Sequence, residues 1–257
     1  MELICEIAFF DLDGTIYLDG EPIGDIVNEI CFLHQNGAEI RYLTNNTSVS
    51  ISYYQDKLRS LNLPVSEHSV ISPLVPLSNW LKKNNIKSFY CLGTAEFIKD
   101  LEHKSDARQN QNFPEIVLVS FDKEVNYLKL KKACEFINNG LEWHVSNMDL
   151  NCPTKNGPIP DCGSIANLIS ATTGTQPKFN FGKPEEHMVE TIRHEVGTFK
   201  KVLVAGDRTY TDVRLGHKIN ALTVLVCSGE YSTASVEQVP DGTHICLTLS
   251  DFLSAHR

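Results

Sequence analysis

The chain has 257 residues, with 32 acidic and 23 basic side chains, so its formal net charge is −9 with the histidines neutral. A surface so acidic repels phosphodiester backbones and anionic lipid, and no basic block appears, so neither nucleic acid nor a membrane is an expected partner. At 42% hydrophobic and 21% charged residues, the composition is that of a globular protein with one large domain or two modest ones.

No apolar run approaches the roughly 20 residues of a membrane span. The opening MELICEIAFF carries Glu2 and Glu6 and lacks the basic start of a signal peptide. The eight cysteines show no CxxC pair, and no metal-binding spacing supports Cys152 and Cys162 as ligands. The expectation is a cytoplasmic protein with free thiols.

Leu3 to Phe10 is an apolar run that ends at Asp11-Leu-Asp-Gly, as in a parallel strand covered on both faces. Ile26, Ile30 and Leu33 recur at helical spacing and stop at Asn36-Gly37. A strand follows at Glu39 to Leu43, then a helix around Tyr54 to Leu61 and a short strand at His68 to Ile71. Past Pro73 the alternation restarts, with strands at Ser88 to Leu92, Ile116 to Phe121 and Trp143 to Ser146; Lys104 to Asn112 reads as a loop. The prolines and glycines of Asn151 to Gly163 exclude regular structure but stiffen the chain. After a helix at Ile165 to Ile169, strands are expected at Lys178 to Phe181, Lys201 to Ala205 and Leu222 to Val226. Strand and helix in alternation imply an α/β fold with parallel pairing. The organisation expected is a parallel-sheet core from residues 1–72 and 178–257, interrupted by a smaller α/β insert over 73–177.

Asp11 and Asp13 stand two apart at a strand end, so their carboxylates face one spot, where mutual repulsion invites a hard divalent cation. Gly14 then allows a sharp turn. Thr44 ends the second strand and Asn45 follows, a hydroxyl and backbone N–H groups suited to phosphate oxygens. Lys183 and Asp207 each follow an expected strand, and Asp212 opens the next helix. Each feature alone also fits an ordinary turn, surface lysine or helix cap. Together they fall at the carboxyl edge of one parallel sheet, where such sheets bind ligands.

FDLDGT at Phe10–Thr15, Thr44, Lys183 and GDRTYTD at Gly206–Asp212 resemble, in order, the four motifs of the haloacid dehalogenase superfamily. LTNNTS at Leu43–Ser48, VSNMDLNCPTKNGPIPDCGSI at Val145–Ile165 and FGKPE at Phe181–Glu185 are similar to its subclass IIA, the NagD-like or 4-nitrophenylphosphatase-like phosphatases. The resemblance implies a Rossmann-like core with a C2-type cap and a phosphatase acting on a small-molecule phosphate ester. It implies Asp11 as nucleophile and Asp13 as general acid and base. Mg²⁺ is implied on the Asp11 carboxylate, the Asp13 carbonyl and Asp207, with Asp212 behind them. Thr44, Asn45 and Lys183 are implied to bind phosphate, and Asn147 and Asp149 to face the substrate from the cap loop. Met148 and Asp161 depart from the subclass, which usually has Pro and Gly there. A phosphotransferase or phosphomutase would share these groups, and an idle sensor of phosphorylated metabolites is the reading outside enzymes. Nothing in the sequence speaks to oligomeric state.

Overall fold

The computed structural model describes residues 3–152, 154, 156–231 and 238–257; Glu2 and Pro153 lie outside them. The chain divides into two compact units, one of residues 1–44, 52–71 and 189–257 and one of residues 45–51 and 72–188. Compared with the division expected from sequence, residues 45–51 and 178–188 go with the inserted unit.

In chain order the elements are β1 (Ile7–Asp11), β2 (Tyr17–Leu18), β3 (Glu21–Pro22), α1 (Ile26–Gln35), β4 (Glu39–Leu43), α2 (Ile51–Ser60) and β5 (Val70–Ile71). Then come α3 (Leu74–Lys83), β6 (Ser88–Leu92), α4 (Ala95–Ser105), β7 (Arg108–Gln109), β8 (Ile116–Val119), α5 (Tyr127–Asn138) and β9 (Trp143–Val145). β10 (Asn151–Cys152), β11 (Ile159–Pro160), α6 (Cys162–Thr173) and α7 (Glu186–Val196) follow. The chain closes with β12 (Val202–Gly206), a π turn at Thr209–Val213, α8 (Arg214–Lys218), β13 (Leu222–Val226), β14 (Thr243–Cys246) and α9 (Leu249–Ser254).

The first unit is a six-stranded parallel sheet in the order β14-β13-β12-β1-β4-β5. Every residue of β1 and β12 is buried, as expected of central strands covered on both faces. The register sets Phe10 against Ala205 and Asp11 against Leu43, which brings Asp11, Thr44 and the Gly206–Asp207 turn to one edge. Chain order reverses between β1 and β12, and such a reversal opens a crevice at the carboxyl ends.

The second unit is a four-stranded parallel sheet in the order β7-β6-β8-β9. Val117, Val119, Trp143 and Val145 from the sheet pack with Ala133 and Ile137 of α5 and with Ile165 and Ile169 of α6. Two expectations are corrected here. Lys178 to Phe181 is not a core strand: Val145 N donates to Phe179 O at 2.9 Å and Phe181 N to Val145 O at 3.1 Å, so the segment lies along β9. The proline-rich stretch does hold regular structure, since β10 and β11 pair antiparallel. Cys5, Cys31, Cys91, Cys134, Cys162, Cys227 and Cys246 are free thiols, and burial pushes the Cys162 thiol up to about 12, as for an inert structural thiol. Among the described residues no helix is long and apolar enough to cross a membrane.

Candidate active site

In the first unit, Asp11, Asp207 and Asp212 are all buried, and each offers a carboxylate oxygen within 4.8 Å of the others. Strand ends and a close turn bring them together. Asp11 closes β1, and its Oδ2 accepts from the Thr15 hydroxyl at 3.4 Å. Asp207 follows β12, and its Oδ2 accepts from Glu230 N at 2.6 Å while its carbonyl accepts from Tyr231 N at 3.0 Å. Asp212 sits in the π turn, where its Oδ2 accepts from Arg208 N at 3.3 Å and from the Thr211 hydroxyl at 3.2 Å. Arg208 itself pairs with Glu230 at 2.8 Å.

Three glycines leave room for this cluster, and a Cβ on one of them, Gly229, would overlap the Asp207 carboxylate. Gly14 has φ +84°, a region that L side chains rarely adopt, and a Cβ there would collide with the Asp207 carboxylate. A Cβ on Gly206 would overlap the Asp212 carboxylate. The main chain folds tightly after the acids: Gly14 N donates to Tyr17 O at 2.8 Å, and the Ser228 hydroxyl donates to Gly14 O at 2.7 Å. Buried carboxylates converging on one point form a set of hard oxygen donors, which suits a small divalent cation such as Mg²⁺. Asp212, expected to stand behind the metal, belongs to the same cluster.

Thr44 is buried at the end of β4, its N–H donating to Ile71 O at 3.1 Å. The next residue, Asn45, belongs to the second unit, where it anchors a separate buried cluster. Asn45 Oδ1 accepts from Lys183 N at 2.8 Å, and its Nδ2 donates to Asp149 at 3.3 Å and 3.4 Å. Asn147 Nδ2 donates to Asn45 O at 2.8 Å, and Asn147 Oδ1 accepts from Asp149 N at 2.9 Å. A Cβ on Gly182 would press on Asn147 and Asn45. Asn147 and Asp149, expected to face the substrate, are thus buried around Asn45. Asp161, at odds with the subclass, caps α6 by accepting from Cys162 N, the role an Asp at a helix start favours. Met148 stands 36% exposed.

Sequence reasoning overlooked the loop of Ser228 to Glu230. It follows β13 at the carboxyl end of another core strand, the same signal that marked Asp207. It also overlooked Tyr17, fully buried beside the acids. Burial pushes its phenol well up, with the charges of Asp13 and Asp11 acting in the same direction.

A family model described as haloacid dehalogenase-like hydrolase matches residues 8–105, and a second, HAD-hydrolase-like model matches residues 180–252. The chain is 28% identical over 249 residues to 5′-nucleotidase YutF of Bacillus subtilis (strain 168), covering 95% of each. It superposes on the 4-nitrophenylphosphatase of Thermotoga maritima with a TM-score of 0.90 at 29% identity, covering 99% of this chain and 98% of that one. A solved structure under the provisional name nagD protein gives a TM-score of 0.89 at 30% identity, covering 99% of this chain and 100% of the other. With its acids at the motif positions, its parallel core and likeness to these proteins along nearly its whole length, the chain belongs to the haloacid dehalogenase-like hydrolases, among the NagD-like and 4-nitrophenylphosphatase-like phosphatases of subclass IIA.

Proposed function

We propose that this phosphatase is a Mg²⁺-dependent phosphomonoester hydrolase of small cytoplasmic metabolites, working through an aspartyl-phosphate on Asp11. The buried convergence of Asp11, Asp207 and Asp212 carries the reading. These three, with the Asp13 carbonyl, would hold the cation, which when bound supplies positive charge to the phosphoryl oxygens. Asp11 attacks phosphorus in line, forming an acyl phosphate as the ester P–O bond breaks, and Asp13 gives its proton to the departing oxygen. Asp13 then takes a proton from the water that attacks the acyl phosphate, releasing inorganic phosphate and restoring both acids. Thr44, the Asn45 N–H and Lys183, assigned by motif order, neutralise the equatorial oxygens. The buried hydrogen bonds of Asn147 and Asp149 give them a new role in this reading: they hold Asn45, which in turn fixes the Lys183 backbone.

The nucleotidase and nitrophenylphosphatase among the relatives support small monoesters as substrates, and the net charge of −9 disfavours polyanions and membrane surfaces. The free thiols of Cys5, Cys31, Cys91, Cys134, Cys162, Cys227 and Cys246 support a reducing compartment. The test is release of inorganic phosphate from 4-nitrophenyl phosphate and from a panel of nucleoside monophosphates and sugar phosphates. EDTA should abolish it and Mg²⁺ restore it, while Asp11→Asn should remove turnover with the fold intact. Full activity in EDTA or in the Asp11→Asn protein would overturn the reading, as would quantitative phosphoryl transfer to an added alcohol.

A further inference from the structure

Two residues beside Asp13 have no part in the chemistry above. Tyr17 begins the β2–β3 hairpin directly after the acidic turn, bridged to Asp13 and bonded through its carbonyl to Gly14 N at 2.8 Å. Its side chain is fully buried, and its hydroxyl has no hydrogen-bond partner among the described residues, so the ring and not the hydroxyl holds it in place. Lys57, on α2, sets its Nζ 3.4 Å from the centre of that ring, well inside the roughly 6 Å range of a cation–π contact. Burial lowers the Lys57 pKa, and the negative charges of Asp13 and Asp19 oppose that shift. Lys57 is half-buried on a helix surface, where a long side chain would otherwise extend into water.

We propose that Lys57 and Tyr17 are a positioning pair for Asp13: the ammonium clamps the ring against α2 and thereby fixes the segment from Asp13 to Tyr17, on which the proton donor depends. The proposal rests on the acid–base role given to Asp13 above. The pair acts when Asp13 transfers its proton to the leaving oxygen as the ester P–O bond breaks. An alkoxide needs that proton, whereas the weakly basic 4-nitrophenolate leaves without it. Loosening the pair should therefore slow alkyl esters selectively, a signature that mere structural damage would not leave.

The experiment compares kcat and KM for 4-nitrophenyl phosphate with those for the alkyl ester turned over fastest among AMP, glucose 6-phosphate and glycerol 3-phosphate. Lys57→Met and Tyr17→Leu should lower kcat for the alkyl ester by about tenfold more than for the aryl ester, with KM little moved, a fraction of the 10²- to 10⁴-fold worth of a general acid. The conservative Lys57→Arg and Tyr17→Phe, which keep a cation and a ring, should restore the ratio. Equal losses on both esters, no loss, or a Tyr17→Phe protein as selective as Tyr17→Leu would overturn the pair. Should Tyr17→Leu fail to fold, the Lys57 variants decide alone. Asp13→Asn separates the two layers: if it shows no dependence on the leaving group, the acid–base reading falls, and if it does while Lys57→Met does not, only the pair falls.

Discussion

Gly206 shows how little slack the site has. With Asp212 packed onto its Cα, even a methyl group must displace a carboxylate that Arg208 N and Thr211 hold. Gly206→Ala is therefore expected to keep the fold, since β12 is otherwise undisturbed, but to lose about 10²-fold or more in kcat, the scale of a one-ångström misplacement. Phosphate release and circular dichroism on the same preparation check this; a variant with wild-type kcat would show that the Asp212 position is not critical. Asp11 and Asp207 stand out in the sequence because short apolar strands end abruptly in acids, and the structure buries both in one cluster with Asp212. Lys57 and Tyr17 were not, because a contact between a helix surface and a hairpin leaves no periodic mark.

At the level of elements, the buried strands β1, β6, β12 and β13 are readable as predominantly apolar runs. β14 was missed because its two central residues, His244 and Ile245, are exposed, so Thr243–Cys246 lacks that pattern. Lys178 to Phe181 has the apolar pattern of a core strand, yet its partner is β9. That strand also carries His144, which is fully buried, with neither ring nitrogen hydrogen-bonded among the described residues, and is enclosed by Trp80 at 4.8 Å and Phe179 at 5.3 Å. Burial lowers its pKa from 6.5 to about 4, with Lys178 and His187 adding to the effect and Glu142 opposing it. The folded state thus keeps His144 neutral, whereas below pH 6.5 the unfolded chain takes up a proton there. Stability is complete above that pH and declines through the window down to about pH 4, by about 3 kcal/mol at the lower end. Denaturant midpoints for wild type and His144→Phe between pH 7 and pH 4 should converge on different slopes, the variant losing less; parallel curves would remove His144 as the source.

For the whole molecule, the expectation of an insertion comes from Asp11 and Thr44 near one end of the chain and Asp207 and Asp212 near the other; all four fall in the first unit, and the second unit lies between them in sequence. The exact seams were not legible: segment 45–51 crosses into the second unit because Asn45 and Thr47 bond there, Thr47 to Ser120 at 3.3 Å and Ser146 at 3.1 Å. Those bonds join residues far apart in sequence.

The central position of β1 has a consequence for biosynthesis. β1 emerges from the ribosome before both of its neighbours, β4 and β12, and β12 begins only at Val202. At ordinary translation speeds the IAFFD edge waits roughly 10–30 s for that neighbour, while all of the inserted unit is made and can bury its own core. An apolar strand with an open edge is the kind of segment that aggregates or is bound by chaperones. Stalled nascent chains whose emerged part ends near residue 195 should accordingly yield a protease-resistant inserted unit with the first 44 residues digested. Chains extended past Cys246 should protect both. Early protection of β1 would mean that another part of the nascent chain shields it in the interval.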